Sequence, residues 1–347
     1  MRSSRRDVLS VGLVAASAAL AGGRIARAQD APGAAASGAR AAGAQASTPQ
    51  PLAENARPVA PNQPLGSNSP LGSNPLLEPN LPPPAITAPA AVAKLAGVDL
   101  WYWDSGGEGP AVVLLHPATG SGLVWGYQQS AFATAGYRVI GYSRRGFNGS
   151  SPVDPANPGT GAEDLRLLLD HLRIDRAHLL GTAAGGFVAA SFALTWPKRV
   201  LSLTLACTIL SGADRTVMGM LPSLREPWYN ALPHEFRELS PTYRAIDTAG
   251  VQRWHELHAR SRGGNPAVNQ PAGEPATLAA IAKLTMPVLL ISGDADLISP
   301  PPIARLFHRT IPGSQLVVLA ECGHSAYWER PDEFNAAVLR FIGTHRG

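Results

Sequence analysis

The sequence predicts an α/β fold, a mainly parallel and doubly wound sheet, for residues 89–347 of the 347-residue chain. Three observations lead to this prediction. Short β-branched runs alternate with longer amphipathic runs, as strands and crossover helices do. Several of the short runs are apolar at almost every position, as strands covered on both faces must be. Hydrophobic residues make up 45% of the chain, which excludes a wholly disordered protein.

The individual strands and helices follow from these runs. The expected strands are residues 98–103, 111–116, 137–142, 177–181, 200–207, 287–292 and 315–320. The expected helices are residues 162–172, 185–195 and 332–342. Leucine recurs at helical spacing in the first helix, whereas the second is small and apolar.

Residues 211–283 interrupt this alternation. They are helix-prone and aromatic at first, then rich in Gly and Pro from residue 263 to residue 275. We expect them to form a helical lid, inserted after the sixth strand and lying over the carboxyl ends of the strands, where open α/β sheets bind ligands. The alternative is a surface excursion whose aromatic side chains pack only on themselves.

The first 28 residues are predicted to be an export signal. Arg5 and Arg6 stand in a pattern that resembles the twin-arginine signal, an apolar run follows, and Ala26-Arg27-Ala28 forms a small-x-small cleavage site. The run is too short and too rich in Ala and Gly for a stable membrane span. An ordinary secretory signal is the alternative, and both place the mature protein in the periplasm or outside the cell.

The basic character of the chain comes from that signal. The net charge is +4, but residues 1–28 hold five arginines and one aspartate, so the rest carries 24 basic and 24 acidic residues. No basic stripe remains to neutralise phosphates, and nucleic acid is therefore not expected as a partner.

Residues 29–88 are predicted to be a disordered linker. They are rich in Ala, Gly, Pro and Ser, and the sequence Pro-Leu-Gly-Ser-Asn occurs twice, at residues 64–68 and 70–74. Such a segment has too few large apolar groups to offset the entropy of ordering it.

The two cysteines, Cys207 and Cys322, allow either a disulfide or two free buried thiols. No Cys/His metal cluster and no Gly-rich phosphate loop occurs, so no metal or cofactor is expected.

Five short motifs occur in a fixed order along the predicted domain. Residues 178–186 form a strand-to-turn pattern, His-Leu-Leu-Gly-Thr-Ala-Ala-Gly-Gly, that resembles the G-x-S-x-G nucleophile elbow. The others are Leu-Leu-His-Pro-Ala at 114–118, Arg-Gly-Phe-Asn-Gly-Ser at 145–150, Gly-Asp-Ala-Asp at 293–296 and Cys-Gly-His at 322–324. Together they resemble the α/β-hydrolase fold superfamily, with its esterases and lipases, over the whole predicted domain.

The sequence differs from that family at the atom that matters most. The nucleophile position holds Ala183, which has no hydroxyl group. Thr182 precedes it, and we expect its side chain to point away from the histidine. Neither cysteine stands at this position. Pro117 and Ser143 replace a usual glycine and a usual aspartate, and we expect both changes to be tolerated.

The resemblance implies roles for the other motif residues. His324 is the expected general base, and Asp296 is expected to orient its ring, with Asp294 as the other candidate acid. The backbone N–H groups of Ala118 and Ala184 are the expected oxyanion hole. Among the other histidines, His171 and His178 are expected to be structural, whereas His255 and His258 lie in the lid and either meet substrate or face solvent.

Three functions fit these residues. In the first, the protein is an esterase-like hydrolase of small to medium neutral substrates whose serine is replaced by Ala183, so that it binds substrate but scarcely turns it over. In the second, the alanine is native and the His324–Asp296 pair works without a covalent intermediate, as in a lyase, an isomerase or a cofactor-free oxygenase. In the third, the protein is a non-catalytic binder of small molecules. The sequence does not indicate the oligomeric state.

Overall fold

A computed structural model describes residues 78–210 and 214–345 of the chain. Its centre is one eight-stranded sheet in the order β1-β2-β4-β3-β5-β6-β7-β8. Strands β1 and β2 are antiparallel to each other, β2 is antiparallel to β4, and the remaining neighbours are parallel. The strands are β1 (Ala90–Leu95), β2 (Val98–Asp104), β3 (Ala111–Leu115), β4 (Arg138–Tyr142), β5 (Ala177–Thr182), β6 (Val200–Ala206), β7 (Val288–Gly293) and β8 (Gln315–Leu319).

Eleven α-helices lie in the described part of the chain. Those between and after the strands are α1 (Gly126–Thr134), α2 (Gly161–His171), α3 (Ala184–Thr195), α9 (Pro301–Thr310), α10 (Ala326–Glu329) and α11 (Pro331–Gly343). Those between β6 and β7 are α4 (Arg215–Met220), α5 (His234–Glu238), α6 (Pro241–Ile246), α7 (Thr248–Arg260) and α8 (Leu278–Ile281).

Both faces of the sheet are covered, as the continuous apolar runs predict. In β3, Val113 and Leu115 join one hydrophobic cluster, whereas Val112 and Leu114 join the other. The first cluster includes residues of α2, α3 and α9, and the second includes residues of α1, α10 and α11. Side chains alternate along a strand, so a strand between two helical layers must be apolar throughout. The prediction of a mainly parallel, doubly wound sheet is confirmed.

The expected strands and helices agree with the observed ones to within one or two residues at each end. Strand β1 and helices α1, α9 and α10 were not predicted, and no apolar run indicates β1. It lies at the edge of the sheet, and among its residues only Ala93 is buried.

The segment between β6 and β7, residues 207–287, is here called the insertion. Its helices contribute to both clusters, with Val217 and Ile281 in the first and Tyr243 and Trp254 in the second. The insertion therefore packs against the sheet domain and not only on itself, in contrast to the alternative considered above.

Part of the predicted linker lies against the folded domain. Asn80 Nδ2–H donates to Trp328 O (3.2 Å), and the backbone N–H of Thr87 donates to Gln129 Oε1 (3.0 Å). The export signal, the five-residue repeat and the linker up to residue 77 lie outside the described residues. Within the described residues, no helix is long and apolar enough to cross a bilayer, and no group of His, Cys, Asp and Glu is placed to hold a metal ion.

Candidate active site

The elbow, residues 181–186, connects β5 to α3. Ala183 is the single residue between the two elements, with φ +48° and ψ −117°. A non-glycine residue in such a sparsely populated region costs about 1–3 kcal/mol. Hydrogen bonds fix the turn, because Ala183 N–H donates to Ala206 O (3.0 Å) and Gly186 N–H donates to Ala183 O (3.0 Å). The strained strand-to-helix turn of the motif is thus present, with a methyl group in place of a hydroxymethyl group.

Two glycines allow the elbow to approach its neighbours. A Cβ atom on Gly185 would lie 2.0 Å from the carbonyl oxygen of Leu115, and one on Gly181 would lie 2.5 Å from the carbonyl oxygen of Gly185. Neither position can hold a side chain without backbone movement. The first turn of α3 therefore lies directly against the end of β3.

No other side chain at the elbow replaces the missing hydroxyl. Thr182 is fully buried, and its Oγ1 has no hydrogen-bond partner among the described residues. Cys207 and Cys322 are free and buried, with Sγ atoms 3.9 and 3.7 Å from the carbonyl oxygen of Gly323. The thiols thus lie beside the histidine motif and not at the nucleophile position.

His324 and Asp296 form the expected pair. His324 Nδ1–H donates to Asp296 at 2.9 Å from Oδ2 and 3.0 Å from Oδ1. Asp296 accepts three more hydrogen bonds, from the N–H groups of Ile298 and Ser299 (2.8 Å each) and from Ser299 Oγ (2.7 Å). Because Nδ1 carries the proton in the neutral ring, Nε2 has the free lone pair that a base needs.

Burial and pairing act in opposite directions on the two pKa values. Burial lowers the pKa of His324, but the charge and hydrogen bond of Asp296 outweigh it, so the pKa is raised above 6.5. Burial raises the pKa of Asp296, but the charge of His324 and the accepted hydrogen bonds outweigh it, so the pKa lies below 3.8. The carboxylate stays ionised and stabilises the imidazolium form of its partner.

Asp294 has a different role from Asp296. It is exposed, and its Oδ1 accepts a hydrogen bond from the backbone N–H of Cys322 (3.2 Å). It therefore supports the loop that carries the histidine, here called the histidine loop (residues 320–325), and does not contact the ring.

The loop after β3, residues 116–120 and here called the β3 loop, is fixed by buried polar groups. Arg144 N–H donates to His116 Nε2 (3.0 Å), so His116 Nδ1 carries the proton and donates to Pro117 O (2.7 Å). Burial, followed by the charge of Arg144, lowers the pKa of His116 well below 6.5, which keeps the ring neutral. Arg144 Nη2–H also donates to Pro117 O (3.3 Å). Because the peptide is trans, the N–H of Ala118 points to the side opposite this carbonyl.

The second expected oxyanion donor lies on the elbow. Ala184 is the first residue of α3, and the first N–H groups of a helix have no intrahelical partner. Ala118 is exposed and Ala183 and Ala184 are partly exposed, so a ligand can reach this edge of the sheet. Backbone donors of this kind can stabilise an oxyanion irrespective of the side chains that flank them.

The insertion contributes Glu238, which the sequence did not indicate, and His258, one of the two lid histidines, to the surroundings of the β3 loop. Glu238 Oε2 accepts a hydrogen bond from Thr119 Oγ1 (2.9 Å), and His258 Nδ1–H donates to Thr119 O (3.0 Å). His258 also stacks on Trp254, with ring centroids 5.3 Å apart. No local motif marks Glu238, because its role arises only when the insertion meets the β3 loop.

The remaining candidate histidines are separate from this cluster. His171 lies at the end of α2, with its ring edge against Tyr102, and His178 is buried in β5 with Nδ1 2.8 Å from Ser202 Oγ. His255 is partly exposed and contacts the ring of Trp254. These contacts agree with structural roles for His171 and His178.

The motif at residues 145–150 supports the site from outside. Arg145 forms two hydrogen bonds to Asp164 (2.7 and 3.1 Å). Ser143, in place of the usual aspartate, accepts a hydrogen bond from Gly122 N–H (3.2 Å) and its carbonyl accepts one from Ser150 Oγ (2.7 Å). Local hydrogen bonds thus accommodate Ser143 in place of aspartate.

Comparisons with known proteins identify the family of this chain. A model of the alpha/beta hydrolase family matches residues 112–337, more than half of the chain. A 2-hydroxy-6-oxononadienedioate/2-hydroxy-6-oxononatrienedioate hydrolase of Burkholderia vietnamiensis is 30% identical over 264 residues, covering 70% of this chain and 90% of that protein.

Solved structures show the same fold. A bromoperoxidase from Bacillus anthracis superposes with a TM-score of 0.61 at 26% identity, covering 74% of this chain and 100% of the other. A thermophilic esterase from Thermogutta terrifontis superposes with a TM-score of 0.62 at 24% identity, covering 75% of this chain and 100% of the other, and supports the fold alone.

Proposed function

This chain belongs to the alpha/beta hydrolase family, and we propose that it is a hydrolase-type enzyme that works without a covalent acyl intermediate. Its substrate is a small to medium, uncharged carbonyl compound such as an ester or a lactone. His324 acts as the general base, Asp296 orients it, and the N–H groups of Ala118 and Ala184 receive the developing oxyanion.

The observation that carries this proposal is the complete His324–Asp296 pair in a chain whose elbow has no nucleophile. Burying an imidazole and a carboxylate costs several kcal/mol unless both are well bonded. Here four hydrogen-bond donors serve the carboxylate, counting the imidazole itself. A protein that only bound small molecules would not need a pair arranged in this way.

The reaction balances with water as the nucleophile. His324 Nε2 takes a proton from water while the water oxygen bonds to the carbonyl carbon, and the carbonyl oxygen becomes an oxyanion. When the tetrahedral intermediate collapses, the bond to the leaving group breaks and Nε2–H returns the proton to that group. Asp296 stays ionised throughout. Ala183 lacks the hydroxyl oxygen that would otherwise stand where water must approach.

The name of a similar protein supports a carbonyl substrate without choosing one. The relative from Burkholderia vietnamiensis is named as a 2-hydroxy-6-oxononadienedioate/2-hydroxy-6-oxononatrienedioate hydrolase, so its substrate contains a keto group. The panel of test substrates should therefore contain vinylogous 1,5-diketones in addition to esters and lactones.

The test compares the purified chain with its His324→Ala and Ala183→Ser variants on that panel. We expect the unmodified chain to hydrolyse at least one compound and His324→Ala to abolish this activity. An inactive unmodified chain whose Ala183→Ser variant gains esterase activity by a thousandfold or more would contradict the proposal, since covalent catalysis is worth roughly a millionfold in serine hydrolases.

Two further outcomes would also overturn the proposal. Exchange of a substrate C–H for deuterium with no hydrolysis would assign His324 to proton abstraction at carbon, as in a lyase or isomerase. Tight binding of ligands that His324→Ala leaves unchanged, again without turnover, would identify a binding protein.

We also propose that the chain is exported to the periplasm or beyond by the twin-arginine route. The support is the Arg5-Arg6 pattern and the Ala26-Arg27-Ala28 site. Replacing Arg5 and Arg6 by lysine should retain the precursor, with its signal, in the cytoplasmic fraction. Continued export of this variant would refute the route, although an ordinary secretory signal would still fit.

A further inference from the structure

We propose that Glu238, in the insertion, is a positioning residue that fixes the histidine loop against the β3 loop. This inference rests on the function proposed above, because it assigns the two loops to opposite sides of one reaction centre. Glu238 is the last residue of α5 and is only 5% exposed.

The side chain of Glu238 connects the two loops. Its Oε2 accepts one hydrogen bond from Thr119 Oγ1 (2.9 Å) and another from Ser325 Oγ (3.3 Å). Thr119 follows Ala118, an expected oxyanion donor, and Ser325 follows His324, the expected base. One carboxylate oxygen thus accepts hydrogen bonds from the residue after the oxyanion donor and from the residue after the base.

The backbone of Glu238 holds the histidine itself. Its carbonyl oxygen accepts hydrogen bonds from the N–H groups of His324 (2.7 Å) and Ser325 (3.2 Å). A Cβ atom on Gly323 would lie 2.6 Å from this carbonyl oxygen and 2.7 Å from the nitrogen of Ser240. The histidine loop therefore lies directly on the backbone of the insertion, with no side chain between them.

Burial of this carboxyl group is costly for a group with no function. A well-packed apolar side chain is often as stable as a buried charged group, or more stable. Burial raises the pKa of Glu238, whereas the positive charges of His324 and His258 and the hydrogen bonds from Thr119 and Ser325 oppose that rise. The charges and hydrogen bonds that favour the ionised form of Glu238 therefore come from the site residues that it positions.

The charge of Glu238 provides a readout that packing alone would not give. Its negative charge raises the pKa of His324, in addition to the larger effect of Asp296. The other titratable groups that face Glu238 or His324 are His258 on α7, Tyr229 in the insertion, and Tyr327 and Glu329 on α10. Burial is the main cause of both raised tyrosine pKa values, to which the charge of Glu238 adds. Both tyrosines therefore stay neutral where His324 titrates, and the loss of the Glu238 charge should act on the His324 pKa directly.

The experiment uses the full-length protein with the substitutions Glu238→Gln and Glu238→Leu. Glutamine can accept the same hydrogen bonds without the charge, whereas leucine removes both. We expect Glu238→Gln to lower the imidazole pKa of His324, measured by NMR titration, and to keep kcat within about threefold. We expect Glu238→Leu to lower kcat about tenfold to a hundredfold with little change in KM, because a shift of about 1 Å in a catalytic group costs this much.

Two controls accompany these variants. Glu235→Gln removes a carboxylate from the same helix, three residues away, and should leave both the His324 pKa and kcat unchanged. The double variant Thr119→Val with Ser325→Ala removes both donors to Glu238, and its loss of kcat should match that of Glu238→Leu. A variant that carries all three substitutions should lose no more kcat than either.

Two results would overturn this inference. An unchanged kcat and an unchanged His324 pKa in folded Glu238→Leu would show that Glu238 does not position the loops. The same holds if Thr119→Val with Ser325→Ala is as active as the unmodified chain. Because the NMR titration requires no turnover, an inactive unmodified chain would refute the proposed function while the pKa measurement still tests Glu238.

Discussion

The elbow and the histidine loop lie at the same edge of the sheet but are built differently. The elbow is held mainly by its backbone: Ala183 forms main-chain hydrogen bonds with Ala206 and Gly186, and glycines lie against backbone atoms around it. One side chain adds to these, because Thr208 Oγ1–H donates to Ala183 O (2.9 Å).

The histidine loop rests on the main-chain carbonyl of Glu238, and it also depends on the buried side chains of Asp296, Glu238 and Glu329. The elbow thus keeps its geometry although it lacks the reactive oxygen. His324 is present, but its pKa and orientation depend on its partners.

This difference explains how the elbow can keep its shape with alanine. None of the contacts that hold the turn involves the side chain at position 183, so the loss of a hydroxyl group leaves them intact. The pKa and orientation of His324, by contrast, depend on groups from the loop after β7, the insertion and α10. Variants that alter either side can test the comparison.

The largest effect is expected from Ala183→Ser. If the backbone alone determines the elbow, the new hydroxyl should be placed for activation by His324 and should react with a fluorophosphonate probe at least about a thousandfold faster than the unmodified chain. Intact-protein mass spectrometry would detect a single adduct. The variant that also carries His324→Ala should not react, and failure of Ala183→Ser itself to react would show that the elbow is not preorganised.

Next in size is Gly185→Ala. The added Cβ would lie 2.0 Å from Leu115 O, so we expect a loss of at least about 4 kcal/mol in the free energy of unfolding, measured with urea. Gly219→Ala is the matched control, because a Cβ there meets nothing within 4 Å and lies in α4, where alanine should stabilise by about 0.5–1 kcal/mol. Equal stabilities of the two variants would contradict a backbone-built elbow.

Asp296→Asn should have a smaller effect that depends on pH. The raised pKa of His324 contributes stability that is fully present below pH 6.5 and is lost as the pH rises through the raised value. The lowered pKa of Asp296 contributes stability above pH 3.8 that is lost as the pH falls. The pair therefore stabilises most between about pH 4 and 6.5, and there we expect Asp296→Asn to cost about 3 kcal/mol.

Urea unfolding of both proteins across pH 4–9 would measure this difference. The cost of the substitution should decrease above pH 6.5, and the His324 pKa should be lower in the variant. A cost that is independent of pH would show that the two groups do not interact as ions.

The smallest effect is expected from Glu329→Gln. Glu329 Oε2 accepts hydrogen bonds from Ser240 N–H (2.8 Å) and Gly323 N–H (3.0 Å), and burial raises its pKa from 4.5 to about 7. Because the folded state holds this proton more tightly than the unfolded state, stability decreases as the pH rises from 4.5 to 7. Glutamine cannot titrate and should abolish that decrease, and identical pH dependence in both proteins would contradict the raised pKa.

The features that were predictable from the sequence are those that depend on local pattern. Strands such as β3 are apolar at every position, and the pairing of His324 with an acid after β7 follows from the order of the motifs. The choice between Asp294 and Asp296 depends on neighbours: the N–H groups of Ile298 and Ser299 point at Asp296, whereas Asp294 binds Cys322.

Other features could not be predicted, for physical reasons. Strand β1 has one buried residue, so its pairing with β2 leaves no apolar run. Glu238 lies in the run His-Glu-Phe-Arg-Glu, whose composition is that of a solvated helix, and Phe236 beside it is indeed 44% exposed. Its partners Thr119 and Ser325 are 119 and 87 residues away in sequence.

The two thiols that share the carbonyl of Gly323 have a practical consequence. Burial, followed by the charge of Asp296 for Cys207 and of Glu329 for Cys322, raises both thiol pKa values well above 9.0. Since only the thiolate is nucleophilic, alkylating reagents should modify them only during transient opening of the surrounding structure. Their modification rates, measured by mass spectrometry, should therefore report how often the structure around the histidine loop opens locally, without any engineered label.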